Sequence, residues 1–158
     1  MDFQELYLSA NGRVSRKTWW IGTLVLIVAS FLLYFILGLV GLGLTSAWGP
    51  LIVFALLVYP ALNLGVKRRH DRDNDGMDYK IFMGVSAVLS LLQAFGIGFT
   101  PTDLGNGMVV MAPGTIMTIL QLAFAVFGIY LLVQNGFLKG TAGPNTYGPD
   151  PLGYAATA

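Results

Sequence analysis

Residues Trp19 to Leu44 read WWIGTLVLIVASFLLYFILGLVGLGL, an apolar run without one charged side chain. Crossing a hydrocarbon core of about 30 Å takes roughly 20 helical residues, so this stretch decides the fold class. Thr45-Ser46-Ala47 resembles a signal-peptidase site. The run before it, however, is far longer than the roughly 7–15 residues of a cleavable core, and it is read as a retained helix. Its excess length predicts a tilt or a bend, with Gly38, Gly41 and Gly43 as the soft region.

Three more uncharged apolar runs follow, at Trp48 to Val66, Ile81 to Phe99 and Thr115 to Val133. Only 11% of the chain is charged, against about 25% in soluble domains. Helices apolar all round are buried in a large protein or in lipid, and 158 residues offer nothing else to bury them. The expected fold is an all-α integral membrane protein, a four-helix transmembrane bundle forming one domain. Its segments are residues 1–18, a first span 19–44, a second 48–66, a loop 67–80, a third span 81–99, a loop 100–114, a fourth span 115–133 and a tail 134–158.

Orientation follows from the nine basic residues. Arg13, Arg16 and Lys17 precede the first span. Lys67, Arg68, Arg69, Arg72 and Lys80 lie between the second and third, and Lys139 follows the fourth. The connections Thr45 to Ala47 and Thr100 to Gly114 carry none. Because Lys and Arg are retained on the inner side, both termini and the middle loop are expected in the cytoplasm. Trp19, Trp20, Tyr79 and Trp48 fall where interfacial aromatics anchor helix ends.

Outside the spans, Phe3, Leu6 and Tyr7 share one helical face, which predicts a short amphipathic helix on the inner membrane surface. Asn11-Gly12 would end it. Gly49-Pro50 suits a tight return into the second span, and Asn106-Gly107 a small hairpin. The tail from Gly140 to Pro151 is too rich in glycine and proline for regular structure, so contacts must hold it or leave it disordered.

Three separated patterns carry a family resemblance. They are Leu6-Tyr7 with Asn11-Gly12-Arg13-Val14-Ser15-Arg16 and Trp19-Trp20, then Lys67-Arg68-Arg69-His70-Asp71 with Gly76. The third comprises Gly140-Thr141, Gly143-Pro144-Asn145 and Tyr147-Gly148-Pro149-Asp150-Pro151. Together they resemble the small bacterial inner-membrane family typified by YhaH, domain of unknown function 805. The chain departs from that pattern at Arg69, Asp75 and Met77. The resemblance implies a bacterial inner-membrane location and four helices, and supplies no activity.

The residues exclude several chemistries. There is no cysteine, and His70 is the only histidine. Thiolate sites and sites needing several imidazoles are therefore out of reach, and no glycine-flanked serine elbow is present. Asp71-Arg72-Asp73-Asn74-Asp75-Gly76 opens like a calcium loop, but the twelfth position is Phe82, where a bidentate glutamate belongs. No catalytic set, cofactor or metal is expected. A net charge of +1 gives no footprint for nucleic acid.

Within the spans, Asn63, Gln93 and Gln121 are the strongly polar side chains. They either hydrogen-bond between helices or line a solute path. The first reading makes the chain a non-enzymatic interaction or lipid-contact module. The second makes it a small transporter or channel-like oligomer. The expected partners are the bilayer, its anionic headgroups, and a protein or a second copy of the chain.

The motif residues Arg13, Arg16, Arg68, Arg69, His70, Asp71, Gly76, Asn145, Tyr147 and Asp150 are expected to meet on the cytoplasmic face. Asp150 would pair with Arg68, Arg69 or the Arg13–Arg16 turn. Tyr147 would bury its ring with its hydroxyl near the headgroups, and Leu152 to Ala158 would be disordered.

Overall fold

The computed structural model describes residues 3–103, 105, 107 and 109–153. These residues are mostly helical. The helices are α1 (Phe3–Leu8), α2 (Arg16–Gly38), α3 (Gly49–His70), α4 (Met77–Ala94) and α5 (Thr115–Leu132), and α5 runs on into a π-helical turn, Val133–Phe137. Three helices are long and apolar enough to cross a membrane: Arg16–Gly38, Gly49–His70 and Thr115–Phe137. α4 is not among them, because it begins at Met77 with Asp78 and Lys80 in its opening turns and stops at Ala94. The apolar run Ile81 to Phe99 is thus only partly helical, its last residue having entered a strand.

Ser15 starts α2, its Oγ accepting from the Thr18 N–H at 3.2 Å. The helix does not bend through the following glycines as expected; it ends at Gly38. The chain there folds back on itself, the Leu42 N–H reaching the Leu37 carbonyl at 2.8 Å. A Cβ on Gly43 would lie 3.1 Å from the Gly38 Cα, and one on Gly49 would collide with the Leu42 and Gly43 carbonyls. This backbone-on-backbone approach is open only to glycine, and it places α3 antiparallel beside α2.

α3 is the centre of the molecule, packed on α1, α2, α4 and the π-helical turn. Gly65 lets it approach α4, since a Cβ there would enter the Tyr79 ring. Gly76, at φ 71°, turns the chain into α4 in the left-handed region that favours glycine.

The expected all-α fold is corrected by a two-stranded antiparallel sheet. β1 (Phe99–Asp103) pairs with β2 (Val109–Pro113), in a register running from Phe99↔Pro113 to Asp103↔Val109. The turn expected at Asn106-Gly107 lies in this hairpin; Asn106 is outside the described residues, and Gly107 has φ 78°.

Burial runs opposite to that of a water-soluble bundle. Phe31 and Phe35 on α2 are each 69% exposed, while Asn63, Lys67, Arg68, Arg69, Asp71 and Asn135 are buried. The tightest apolar cluster, Leu6, Val14, Trp19 and Leu64, sits at this same polar end, where α1 covers α2 and α3.

Candidate functional site

The polar end is organised round Asp71, the residue that ends α3. One carboxylate oxygen accepts from Arg13 Nε at 3.1 Å and Nη2 at 3.0 Å. The other accepts from Arg68 Nη1. Arg68 is fully buried, and its remaining donors go to the carbonyls of Asn135 at 2.6 Å and Leu138. Burial pushes the Asp71 carboxyl up from its ordinary range, against the downward pull of Arg68 and Arg13. Each charge here is both paired and hydrogen-bonded, the condition under which a buried ion cluster is tolerated.

Arg13 also holds the tail. Its Nη1 donates to the Gly143 carbonyl at 2.7 Å and the Gly148 carbonyl at 3.3 Å. Its Nη2 donates to the Thr141 carbonyl at 2.7 Å. The tail is tied to the end of α3 as well. The Thr141 N–H donates to the Asp71 carbonyl at 2.8 Å, Asn145 Nδ2 to the His70 carbonyl at 2.8 Å, and the Thr146 N–H to Asp73 Oδ1 at 3.2 Å. Tyr147 stacks on His70, and the His70 ring in turn meets the Gly12 carbonyl through Nδ1 at 3.2 Å. Gly140 passes so close that a Cβ would collide with the Asp71 carboxylate.

A second network lies alongside. Arg69 makes a two-pronged pair with Asp78, at 3.1 and 2.7 Å, and shares the Gln134 side-chain oxygen with Arg72.

The structure therefore brings Arg13, Arg68, His70, Asp71, Asn145 and Tyr147 into one cluster, with Arg69 and Gly76 at its edge. Asp150 departs from the expectation. Its oxygens accept from the Gly143 and Leu152 N–H groups at 2.9 and 2.8 Å, and among the described residues it forms no ion pair. Asp71 sits on a rigid helix end and takes both guanidiniums, which leaves Asp150 to fold the tail upon itself. Leu152 and Gly153 close that turn through Asp150; Tyr154 to Ala158 lie outside the described residues. Arg16 stays exposed, donating to the Phe137 carbonyl at 3.0 Å.

The three amides sit on three different helices, α3, α4 and α5. Asn63 donates to the Tyr7 carbonyl at 2.8 Å, flanked one helical turn away on each side by Tyr59, which donates to the Leu8 carbonyl at 3.0 Å, and Lys67, which donates to the Glu5 carbonyl. These three α3 side chains satisfy the carbonyls that a helix C-terminus leaves open. They moor α1 to α3. Gln93 lies at the opposite end of α4, and Gln121 in the second turn of α5.

In the calcium-like loop Asp71 is taken by arginines and Asp73 by the tail, and the other two side chains bond the local backbone. Asn74 accepts from Gly76 at 2.9 Å and Asp75 from Met77 at 3.0 Å. Among the described residues no group of three His, Cys, Asp or Glu is placed to hold a metal ion.

Asp78, Gln134 and Asn135 do not stand out in the sequence. Asp78 alone carried a local signal, an acid in the first turn of a helix. The others act mainly through backbone groups or meet partners far along the chain.

Neither a curated protein nor a solved structure matches the chain. A family model described as protein of unknown function (DUF805) matches residues 7–149, a stretch running from the α1 tyrosine that Asn63 binds to the proline after Gly148. The chain belongs to this family.

Proposed function

We propose that the chain is a multi-pass protein of the bacterial inner membrane, with four membrane helices and both termini in the cytoplasm. On this reading it is non-enzymatic, and its polar end is a rigid platform that rests against anionic lipid headgroups. One observation carries the reading: Arg13 and Asp71 clasp the amino-terminal segment, the middle loop and the tail together. Arg16, Lys17 and Lys139 remain exposed around that clasp. A basic side chain beside an anionic surface gains about 1 kcal/mol, and a preformed platform presents several without paying to order them.

α4 completes the four helices on this reading by spanning from Ile81 onward, with Asp78 and Lys80 held at the inner interface. The basic residues of every segment assigned to the cytoplasm support the orientation.

Hydrogen exchange on the full chain tests the platform, in nanodiscs of pure phosphatidylcholine against nanodiscs containing phosphatidylglycerol. Slower exchange over residues 3–8 and 137–153 with the anionic lipid, reversed by high salt, is expected. Equal exchange in both overturns it. Reporter fusions at the carboxyl terminus and within the hairpin test the orientation, and a periplasmic signal from the carboxyl-terminal fusion overturns that part.

A further inference from the structure

Two cavities open at the start of α2. One, of about 410 Å³, is lined by Ser15, Arg16, Lys17, Trp20, Gly136 and Leu152. The other, of about 340 Å³, shares Ser15, Arg16 and Leu152 and adds Lys139 and Asp150 to its wall. Both fall in the size range of small-molecule sites, about 300–1,000 Å³.

Cations outnumber acids in their walls, Arg16, Arg68 and Lys139 against Asp71 and Asp150 in the smaller cavity and Arg16 with Lys17 in the larger. The ion pairs among the described residues use Arg13, Arg68 and Arg69, and none involves Arg16, Lys17 or Lys139. Asp71, which also borders the smaller cavity, is matched by two guanidiniums, and both Asp150 oxygens accept from backbone N–H groups. Arg16 gives one bond to the Phe137 carbonyl and keeps donors to spare. Moreover, Arg16 and Lys17 occupy the first turn of α2, which holds no acid. Cations there face the positive end of the helix dipole, and an anion relieves that conflict.

The surroundings select among anions. Trp20 closes one side of the larger cavity, its Nε1 donating to the Gly136 carbonyl at 3.0 Å. Phe137 meets the Trp20 ring edge-on at 5.9 Å. From Trp20 an apolar stripe descends the same face of α2 through Leu24, Ile27 and Phe31, which are 61%, 44% and 69% exposed. A free anion would use only the basic mouth. A phospholipid would use the mouth and the stripe.

We infer that these joined cavities hold the headgroup phosphate of one anionic phospholipid. Arg16, Lys17 and Lys139 surround the phosphate, and an acyl chain lies along Trp20, Leu24, Ile27 and Phe31. The inference rests on the platform reading and sharpens it from a diffuse surface to one site.

The test is a titration of the full chain in uncharged detergent, followed by native mass spectrometry. Its arms are phosphatidylglycerol, phosphatidylcholine and inorganic phosphate. Phosphatidylglycerol should saturate at one molecule per chain. Arg16→Gln and Lys139→Gln should each weaken it about fivefold. Lys80→Gln, a cation on the same end but outside the cavities, should leave it within about twofold. Equal affinity for phosphatidylcholine in the unmodified chain overturns both the site and the platform. A phosphatidylglycerol preference that Arg16→Gln and Lys139→Gln leave intact, or that Lys80→Gln weakens as much, overturns the site and leaves the platform standing. Full displacement of the lipid by millimolar inorganic phosphate overturns the assignment to a lipid.

Discussion

His70 and Tyr147 lie face to face, their ring centroids 3.9 Å apart and their planes 6° from parallel. The pair joins the last residue of α3 to the middle of a tail with no regular structure. An aromatic pair is worth about 0.5–1.5 kcal/mol beyond the area it buries. Tyr147→Ala should therefore speed hydrogen exchange at Asn145 to Gly148 by two- to about tenfold, while Tyr147→Phe, which keeps the ring, should not. Unchanged exchange in the alanine variant would show that the backbone bonds hold the tail without the stack.

Asp71 and Asp78 differ in what their loss leaves behind. Asp71→Asn strands two guanidiniums, on Arg13 and Arg68, whose side chains are 1% and 0% exposed. Breaking such a buried pair costs about 3–5 kcal/mol. The side chain of Asp78 is 22% exposed, and Asp78→Asn strands only the Arg69 guanidinium, which keeps its bond to Gln134, so it should cost clearly less than Asp71→Asn. Thermal unfolding in one detergent compares the two directly; equal losses would contradict the buried-cluster account.

Asn63 predicts a local effect. Asn63→Leu deprives the Tyr7 carbonyl of its donor, and a buried carbonyl left unsatisfied costs about 1–3 kcal/mol. The expected outcome is faster exchange confined to α1, with α4 and α5 unaffected.

Asn135 predicts a gain. Its side chain is fully buried, and among the described residues both amide atoms lack a partner, while its backbone carbonyl serves Arg68. Asn135→Leu removes the unpaired amide and keeps that carbonyl, and should raise stability by about 1–3 kcal/mol. A lower unfolding temperature would mean that the amide binds something in solution, such as an internal water.

The membrane character of the chain was legible because hydropathy is a property of single residues summed along a window. Helix ends were less legible. α2 stops at Gly38 although apolar residues continue to Leu44, because Gly43 packs on Gly38 and Gly49 on the carbonyls of Leu42 and Gly43. Hydropathy does not register such approaches. α4 starts at Met77, ahead of its apolar residues, because Gly76 turns the chain there and Asp78 suits a first helical turn. The strands carried a weak signal in Thr100, Thr102, Val109 and Val110, and Asn106-Gly107 between them pointed to a hairpin within the outer loop, though not to its extent. At the polar end the participants could be named, but their pairing could not. Two acids compete for Arg13 and Arg68, and only the rigid placement of Asp71 at the end of α3 decides between them.

The clasp made by Arg13 has a consequence for how the protein is made. The carbonyls it holds belong to Thr141, Gly143 and Gly148, which lie 128, 130 and 135 positions downstream. At a synthesis rate of about 5–20 residues per second, those partners emerge roughly 6–27 s after Arg13 itself. Every described helix has been translated by then, as have the partners of Arg68, yet of its own partners Arg13 has only Asp71. Closure of the tail on Arg13 therefore has to wait until every described helix has been translated. A product cut short before Thr141 would carry all the described helices and still lack every tail carbonyl that Arg13 holds.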